Sequence, residues 1–258
     1  METADVALQL YTLRKEMAAD FRGTLRTVAA IGYQAVELAG TGGLSAEELR
    51  DLLQELHLEA ASAHVGLTSL QEDLEGIVRY HRTIGCSFIT VPSLPPADRN
   101  DAEAVRRVAH TLDALAVRLH QAGITLAYHN HDFEYQRLGD RTILEILYGE
   151  TAHLKAELDV YWSHKGGDDP AKRIRQLGER CALLHLKDIT RDGDFAEVGE
   201  GVLDFAPILA AGKAVGVRWY IVEQDRCARP SIEAVALSLK NLRSMRTSNK
   251  PESSAERT

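Results

Sequence analysis

Short strand-like runs alternate with longer helix-like stretches along the chain, and this alternation predicts an α/β fold, a single-domain closed (β/α)8 barrel. Eight strand–helix pairs occur in 258 residues, and barrels of this kind commonly use about 250 residues for one domain. The rival architecture is a doubly wound open sheet, which normally carries a glycine-rich phosphate loop after its first strand. Neither GxGxxG nor GxxxxGK(S/T) follows the first predicted strand, which favours the barrel.

The individual elements follow from apolar patterning and from helix boundaries. Strands are predicted at residues 6–10, 35–38, 60–64, 88–91, 125–130, 155–160, 182–186 and 218–223. Helices are predicted at residues 20–30, 45–56, 69–84, 102–122, 142–148, 169–177, 205–214 and 231–246. Ser45 and Glu48 form a capping box, in which each side chain accepts a free backbone N–H at the start of a helix. Four glycines stand between a predicted helix and the next strand, where a left-handed residue ends the helix: Gly32, Gly85, Gly123 and Gly216.

Composition and charge restrict the class of protein. Hydrophobic residues make up 45% and charged residues 26% of the chain, as is typical of a soluble globular protein. The formal net charge of −8 disfavours binding to the phosphate backbone of nucleic acids. No run of 18 apolar residues is present and no basic leader precedes the first strand, so we expect no membrane partner.

The cysteines and the carboxyl-terminal segment add two further expectations. Cys86, Cys181 and Cys227 are odd in number, widely spaced and form no CxxC motif. This pattern argues against a disulfide scaffold and a thiolate zinc site, and it predicts a cytoplasmic protein. The barrel is predicted to span residues 1–247, and the polar segment 248–258 is predicted to be a disordered tail.

Polar residues gather at the carboxyl ends of the predicted strands, where (β/α)8 barrels place their active sites. These residues are Gln9, Glu37, His64, His129, His131, Asp159, His185, Lys187 and Glu223. Strand alternation turns Glu157 and Asp159 toward the barrel axis, opposite their apolar neighbours. Charges buried there need a partner or a bound cation, and several acids with several imidazoles indicate a divalent ion. Carboxylate and imidazole ligands without thiolates suit Mn, Zn, Co or Mg.

Five segments carry a resemblance to a known family: YHNHDFE at 128–134, LD at 158–159, GDDP at 167–170, LHLKD at 184–188 and VGEGVLDF at 198–205. With them, the chain resembles the xylose isomerase-like TIM-barrel superfamily of sugar isomerases and epimerases, which also includes inosose dehydratases and AP endonucleases. The resemblance covers nearly the whole chain, and it implies a divalent metal cofactor and a small-molecule carbohydrate substrate. The resemblance also implies that this chain forms a homodimer, because barrels of this type often do.

The resemblance also implies roles for individual residues. The metal ligands of the family are Glu, Asp, His and Glu from the fifth to the eighth strand, and three positions match: Asp159, His185 and Glu223. His129 stands where many relatives carry the first glutamate, and an imidazole can ligate the same ion. Glu134 is the other candidate for the second carboxylate of the acid–base pair that the family's epimerases use.

Further candidates surround these ligands. Glu223, Lys187 and Glu134 are predicted to be catalytic. Lys187 would orient an oxyanion or a phosphate, or would pair with Asp188 or Glu157 instead. The predicted substrate contacts are His64, His131, Gln9, Glu37 and Glu157. The GEG segment at 199–201 is a candidate substrate loop, because glycines allow close approach to the backbone.

A divalent ion that chelates a carbonyl and its neighbouring hydroxyl would stabilise the enediolate formed when the adjacent C–H proton leaves. Proton return to the neighbouring carbon isomerises, return on the other face epimerises, and expulsion of a β-hydroxyl dehydrates. The leading prediction is therefore a metal-dependent sugar or keto-sugar isomerase/epimerase, and the alternative is a dehydratase or lyase on an inosose or keto-sugar. A third possibility is a non-catalytic carbohydrate-binding barrel. The endonuclease function is disfavoured by the acidic charge and by Trp162, an expected apolar wall where relatives often carry a histidine.

Overall fold

The computed structural model describes residues 6–248, and within them eight parallel strands close into a barrel. Consecutive strands are hydrogen-bonded neighbours, and the eighth strand pairs with the first. The strands are β1 (Val6–Gln9), β2 (Ala35–Leu38), β3 (Glu59–His64), β4 (Phe88–Val91), β5 (Thr125–His129), β6 (Lys155–Asp159), β7 (Cys181–Leu186) and β8 (Trp219–Val222). The predicted (β/α)8 barrel is therefore confirmed, and each strand begins and ends within one residue of its predicted position.

Helices surround the barrel. They are α1 (Arg14–Ala19), α2 (Phe21–Ile31), α3 (Ala46–Glu55), α4 (Leu67–Glu72), α5 (Leu74–Thr83), α6 (Ala102–Gln121), α7 (Ile143–Gly149), α8 (Val160–Lys165), α9 (Pro170–Leu177), α10 (Phe205–Val215) and α11 (Ser231–Ser248). The capping box of Ser45 and Glu48 is present at the start of α3. The single helix predicted over 69–84 is two helices, because the carboxylate of Asp73 accepts the N–H of Gly76 and starts α5. The short helices α1 and α8 were not predicted.

The inside of the barrel is apolar toward the amino-terminal ends of the strands and polar toward their carboxyl ends. The apolar layer consists of Ala7, Ala35, Ala61, Ala127, Leu183, Trp219 and Ile221. Two residues further along five of the strands, the same side of the strand carries polar residues: Gln9, Glu37, His129, His185 and Glu223. Because successive side chains alternate between the two faces of a strand, both layers point toward the barrel axis.

Strand register brings the polar ends to the same level. Asp159 on β6 is paired with His185 on β7, and His129 on β5 is paired with Glu157 on β6. The outward faces of the strands pack against the helices in two large apolar clusters. The polar side chains therefore project from a backbone that is held on its other face by a packed core.

Two of the sequence predictions fall partly on residues at the ends of the chain that lie outside the described residues. Helix α11 runs to Ser248, and residues 249–258 of the predicted tail lie outside the described residues, as do residues 1–5 of the predicted domain. Within residues 6–248, no helix is both long and apolar enough to cross a membrane.

Candidate active site

Four side chains at the carboxyl ends of adjacent strands converge at the mouth of the barrel. His129 ends β5, Asp159 ends β6, His185 lies on β7, and Glu223 directly follows β8. One ligand atom from each lies within 4.8 Å of those from the other three. The Nε2 atom of His129 is 3.2 Å from Oδ2 of Asp159, and Nδ1 of His185 is 2.8 Å from Oε2 of Glu223. We call these four residues the outer cluster; they are the residues that were predicted from the sequence as metal ligands.

The donor set of the outer cluster fits a divalent cation, because carboxylates and imidazoles are ligands of Zn²⁺ and Mn²⁺. For metal–ligand bonds of about 2.0–2.2 Å, two ligands of one ion lie roughly 3–4.4 Å apart. Oδ2 of Asp159 is 3.2 Å from His129 and 3.9 Å from Nδ1 of His185. The other oxygen, Oδ1, accepts the N–H of Trp162 and caps α8, which leaves Oδ2 directed at the cluster.

Lys187 places a buried ammonium group beside these acids. Its Nζ atom is 2.8 Å from Oε2 of Glu223, 3.1 Å from Oδ2 of Asp159 and 2.8 Å from Oδ2 of Asp225. The pairing considered from the sequence, with Asp188 or Glu157, is therefore replaced by contacts with three other carboxylates. Since the side chain is only 1% exposed, its charge acts on these acids with little screening by water.

These contacts decide the protonation of the outer cluster. Burial raises the pKa of Asp159 and of Glu223, but the Lys187 ammonium and the neighbouring imidazoles outweigh burial and hold both pKa values below their ordinary range. Burial lowers the pKa of Lys187, but the facing carboxylates raise it well above its ordinary value. The two acids are therefore ionised at neutral pH, as ligation of a cation requires.

A second polar cluster lies inside the barrel beside the first. Nε2 of His64 is 2.8 Å from Oε2 of Glu157, and Nε2 of His185 is 2.7 Å from Oε2 of Glu37. Gln9 donates to Oε2 of Glu37 over 2.6 Å. We call Glu37, His64, Glu157 and His185 the inner cluster. Gln9, Glu37 and Glu157 were expected to contact substrate, but the structure buries them completely in the barrel wall, where their polar groups bind one another and the two histidines.

A cavity of about 360 Å³ opens at the outer cluster, and small-molecule sites usually enclose about 300–1,000 Å³. It is lined by Tyr11, Ala39, His64, Pro92, Ser93, His129, His131, Lys187, Glu223 and Asp225. Two of the predicted substrate contacts, His64 and His131, thus reach the cavity. Tyr11, which is 44% exposed, and Asp225 stand at the predicted strand ends in the sequence, but neither was predicted to be a site residue. Asp225 could have been assigned as an acid two residues after Glu223.

Glu134 is held away from the outer cluster. The hydroxyl of Tyr128 donates to its Oε1, and the backbone N–H of His131 donates to its Oε2 over 2.7 Å. Burial raises the pKa of Glu134 to about 7, although both hydrogen bonds act to lower it. Since each oxygen already has a partner, the structure does not bring Glu134 to the predicted metal ligands as a second carboxylate. Its carboxyl group instead holds the backbone at His131.

His131 and Trp162 each have a buried ring nitrogen without a hydrogen-bond partner among residues 6–248. The two rings are neighbours, with centroids 5.4 Å apart. Nδ1 of His131 and Nε1 of Trp162 are buried, and neither has a hydrogen-bond partner among residues 6–248. Burial, together with the nearby His129 and Lys187, lowers the pKa of His131 to about 3, so the imidazole is neutral at physiological pH. A neutral imidazole at a cavity wall can bind a hydroxyl group of a ligand.

Asp188 fastens the loop that follows β7. Its Oδ2 accepts the backbone N–H groups of Gly199 and Gly201, each over 2.9 Å, and its Oδ1 accepts that of Leu203 over 3.1 Å. A Cβ atom on Gly201 would lie 2.3 Å from Oδ1 of Asp188, so a side chain cannot fit there without displacement. The N–H groups of Gly199 and Gly201 in the predicted substrate loop are therefore used by the buried carboxylate of Asp188, and Gly201 serves this internal contact.

Known proteins share this architecture. An inosose dehydratase from Geobacillus kaustophilus is 24% identical over 245 residues, which cover 78% of this chain and 79% of the relative. A sugar phosphate isomerase/epimerase from Parabacteroides distasonis superposes with a TM-score of 0.81 at 24% identity, over 94% of each chain. The IolI protein with a bound zinc atom superposes with a TM-score of 0.75 at 15% identity, over 95% of this chain and 98% of the other.

The two superpositions show the shared fold. Family membership follows from a separate match, in which residues 25–245 agree with the family described as "Xylose isomerase-like TIM barrel". The matched region contains seven of the eight strands and the whole outer cluster. The chain therefore belongs to the xylose isomerase-like TIM barrel family.

Proposed function

We propose that the protein is a divalent-metal-dependent dehydratase that enolises a cyclic keto-polyol of the inosose class and eliminates its β-hydroxyl group. The observation that carries the proposal is the placement of the carboxylates. Of the two carboxylates predicted to be catalytic, Glu223 lines the cavity with the proposed ligand His129, whereas Glu134 is tied to Tyr128 and to the backbone of His131. The other carboxylate at the cavity, Asp225, is paired with Lys187 over 2.8 Å. The pair of carboxylates expected for an epimerase is therefore incomplete, whereas one carboxylate can serve an elimination, first as the base for the C–H proton and then as the acid for the departing hydroxyl group.

The proposed metal centre is the outer cluster, with Mn, Zn, Co or Mg as the candidate ions. A divalent ion held there would polarise the substrate carbonyl and make the adjacent C–H group more acidic. Glu223 reaches the cavity; it would receive the proton from that carbon and pass it to the β-hydroxyl group, which would leave as water. Lys187 also lines the cavity, and its ammonium group would stabilise the negative charge that develops on the substrate oxygen.

The similar proteins support this class of reaction and this cofactor. The relative from Geobacillus kaustophilus is named an inosose dehydratase. The IolI structure holds a zinc atom, which supports a divalent ion in a barrel of this shape. Neither comparison identifies the substrate of this chain, which we propose from the cavity-facing carboxylate of Glu223 together with the dehydratase relative.

Isomerisation or epimerisation is the second candidate function, and one observation favours it. The imidazole of His64 lines the same cavity as Glu223, so a second proton donor or acceptor is available there. The structural neighbour from Parabacteroides distasonis is described as a sugar phosphate isomerase/epimerase. In this case His64, rather than Glu134, would complete the acid–base pair.

One experiment tests the metal and the reaction together. The protein is purified without a metal-binding tag, and its ions are counted by mass spectrometry beside Asp159→Asn and His185→Ala. The metal-loaded protein is then incubated with an inosose in D2O and followed by NMR and ultraviolet absorbance. Glu223→Gln removes the proposed base, and Glu233→Gln, at an exposed position on α11, is the matched control.

The outcomes separate the candidates. Loss of water with appearance of a conjugated enone or dione, absent in Glu223→Gln, supports the dehydratase. Deuterium in an isomerised or epimerised product without loss of water moves the assignment to the second candidate. Carbohydrate binding without a bound ion and without turnover would contradict both and indicate a carbohydrate-binding barrel.

A further inference from the structure

In the inner cluster, each of two imidazole nitrogens lies close to two carboxylate oxygens, although each nitrogen carries at most one proton. Nε2 of His64 lies 2.8 Å from Oε2 of Glu157 and 3.3 Å from Oε2 of Glu37. Nε2 of His185 lies 2.7 Å from Oε2 of Glu37 and 3.3 Å from Oε2 of Glu157. Each nitrogen is therefore close to the same two carboxylate oxygens. A ring N–H carries one proton in one direction and makes one well-aligned hydrogen bond, whereas a cation between the four atoms would be shared by all of them.

The spacing of these four atoms is close to that of ligands around one small divalent ion. The two longer edges, 3.3 Å each, lie within the roughly 3–4.4 Å that separates two ligands of one ion. The two shorter edges, 2.7 and 2.8 Å, are hydrogen-bond distances, and these pairs would separate by a few tenths of an ångström when an ion replaces the ring protons. The remaining oxygen of Glu37, Oε1, is buried and has no hydrogen-bond partner within the described part of the chain. A buried carboxylate oxygen without a partner is costly unless a positive charge lies close by.

The charge balance points the same way. Glu37 and Glu157 bring two carboxyl groups into a region that excludes water, and burial together with the neighbouring Glu157 raises the pKa of Glu37. The ammonium of Lys187 is engaged by the carboxylates near the cavity instead. A divalent cation held between the two carboxyl groups would offset the charge of both when they are ionised.

We propose that the inner cluster is a second divalent-cation site, which shares His185 with the outer cluster through opposite ring nitrogens. This inference rests on the proposed function, because it takes the outer cluster as the first metal centre. His185 would bridge the two ions as an imidazolate and would release its ring protons when both ions bind. His64 is 12% exposed and lines the cavity, so it gives ions a route from the cavity to the inner cluster.

Metal stoichiometry tests the second site directly. The full-length protein is stripped with a chelator, reloaded with Zn²⁺ or Mn²⁺, passed through gel filtration and analysed for ions per chain by mass spectrometry. We expect two ions in the wild type and one in both Glu157→Gln and His64→Ala. His153→Ala is the matched control, because this exposed histidine contacts Asp113 far from the barrel interior, and it should keep two ions.

A spectroscopic measurement accompanies the count. Two Mn²⁺ ions bridged by His185 should give a spin-coupled electron paramagnetic resonance signal, and Glu157→Gln should give the six-line signal of an isolated Mn²⁺ ion. Circular dichroism verifies that each variant is folded. Asp159→Asn removes a ligand of the outer cluster and shows which of the two ions each change affects.

Each outcome of the metal count either supports or overturns the proposed second site. Two ions that fall to one in both inner-cluster variants, with loss of spin coupling, support it. One ion in the wild type that Glu157→Gln retains overturns the inner site and leaves the proposed metal centre intact. Two ions that persist in Glu157→Gln and His64→Ala place the second ion elsewhere and overturn the inner site as well. No ion at saturating Zn²⁺ or Mn²⁺ overturns both proposals.

Discussion

The Nζ atom of Lys187 lies 2.8 Å from Oε2 of Glu223, and this oxygen is also 2.8 Å from Nδ1 of His185. One carboxylate oxygen thus faces both a permanent cation and a predicted metal ligand. Such a buried ion pair contributes little net stability over an apolar pair, but removal of one partner leaves an uncompensated charge. Lys187 therefore supplies the positive charge that compensates the carboxylates of the outer cluster before any ion is bound.

Replacement of the lysine tests this role. Lys187→Met should lower the free energy of unfolding by about 3–5 kcal/mol in the presence of a chelator, because Asp159 and Glu223 lose their compensating charge. A saturating divalent ion should restore part of the loss. Urea denaturation with and without Zn²⁺ measures both effects. Lys165→Met, at an exposed position of α8, should change the free energy by less than about 0.5 kcal/mol. Equal stability of the two variants would contradict the assignment.

The buried Glu134 should make stability depend on pH. Its pKa is raised by burial from 4.5 to about 7, so the folded protein binds this proton more tightly than the unfolded chain. The resulting stabilisation is complete below pH 4.5 and is lost as the pH rises through 7. The difference corresponds to about 3 kcal/mol at most. Glu134→Gln has no carboxyl group to titrate at this position. The difference in unfolding free energy between the wild type and Glu134→Gln should therefore change between pH 4.5 and pH 7.

Denaturant titrations at several pH values between 4 and 8 measure the difference in unfolding free energy between the wild type and Glu134→Gln. The exposed Glu75→Gln variant on α5 serves as the matched control, and its gap to the wild type should stay nearly constant. A constant gap for Glu134→Gln as well would show that the carboxyl group of Glu134 is not held in the buried environment described above.

The contact between Asp188 and the following loop explains why Gly201 has no side chain. In Gly201→Ala the new Cβ would meet Oδ1 of Asp188 at 2.3 Å and the carbonyl oxygen of Ile189 at 2.4 Å. We expect a loss of about 1–3 kcal/mol in unfolding free energy, as is typical of overpacked sites. Thermal and urea denaturation measure it. Gly66→Ala has open space around its Cβ and should be tolerated; similar losses in both variants would contradict the explanation.

His131 should contribute to substrate affinity through a neutral imidazole. Its Nδ1 is buried without a partner in residues 6–248, and its pKa of about 3 keeps the ring uncharged in the working range. His131→Phe should therefore weaken substrate binding by about tenfold or more, as loss of a hydrogen bond to a ligand hydroxyl does. The loss should be the same at pH 6 and pH 8. Isothermal titration at both pH values measures it, and a strongly pH-dependent loss would indicate a charged histidine.

The agreement between sequence and structure is greatest where the signal is local. Period-two alternation placed Asp159 and Glu157 on the inner face of one strand, and the structure has both inside the barrel. The same alternation does not predict how deeply an inward-facing side chain is buried in the barrel. Glu157 is enclosed with the inner cluster, whereas Glu223, which directly follows its strand, reaches the cavity.

The sequence was least able to predict which partners the charged side chains would bind. Asp188 adjoins Lys187 in the sequence, but alternation sends it to the opposite side, where it binds the loop at Gly199 and Gly201. Asp225 is far away in the sequence, but β8 is hydrogen-bonded to β7, so its carboxylate reaches Lys187. Glu134 follows β5 closely, but the turn after the strand directs it to Tyr128.

The sequence by itself determined the eight strand–helix pairs and the inward face of each strand, because apolar alternation and helix boundaries depend on residues within a few positions of one another. Only the tertiary structure decided which of the inward polar groups line the cavity and which are enclosed in the barrel wall. It also decided the partners of Lys187 and Glu134. Those contacts arise when barrel closure sets neighbouring strands about 4.8 Å apart, which brings together side chains that are remote along the chain and that no local pattern connects.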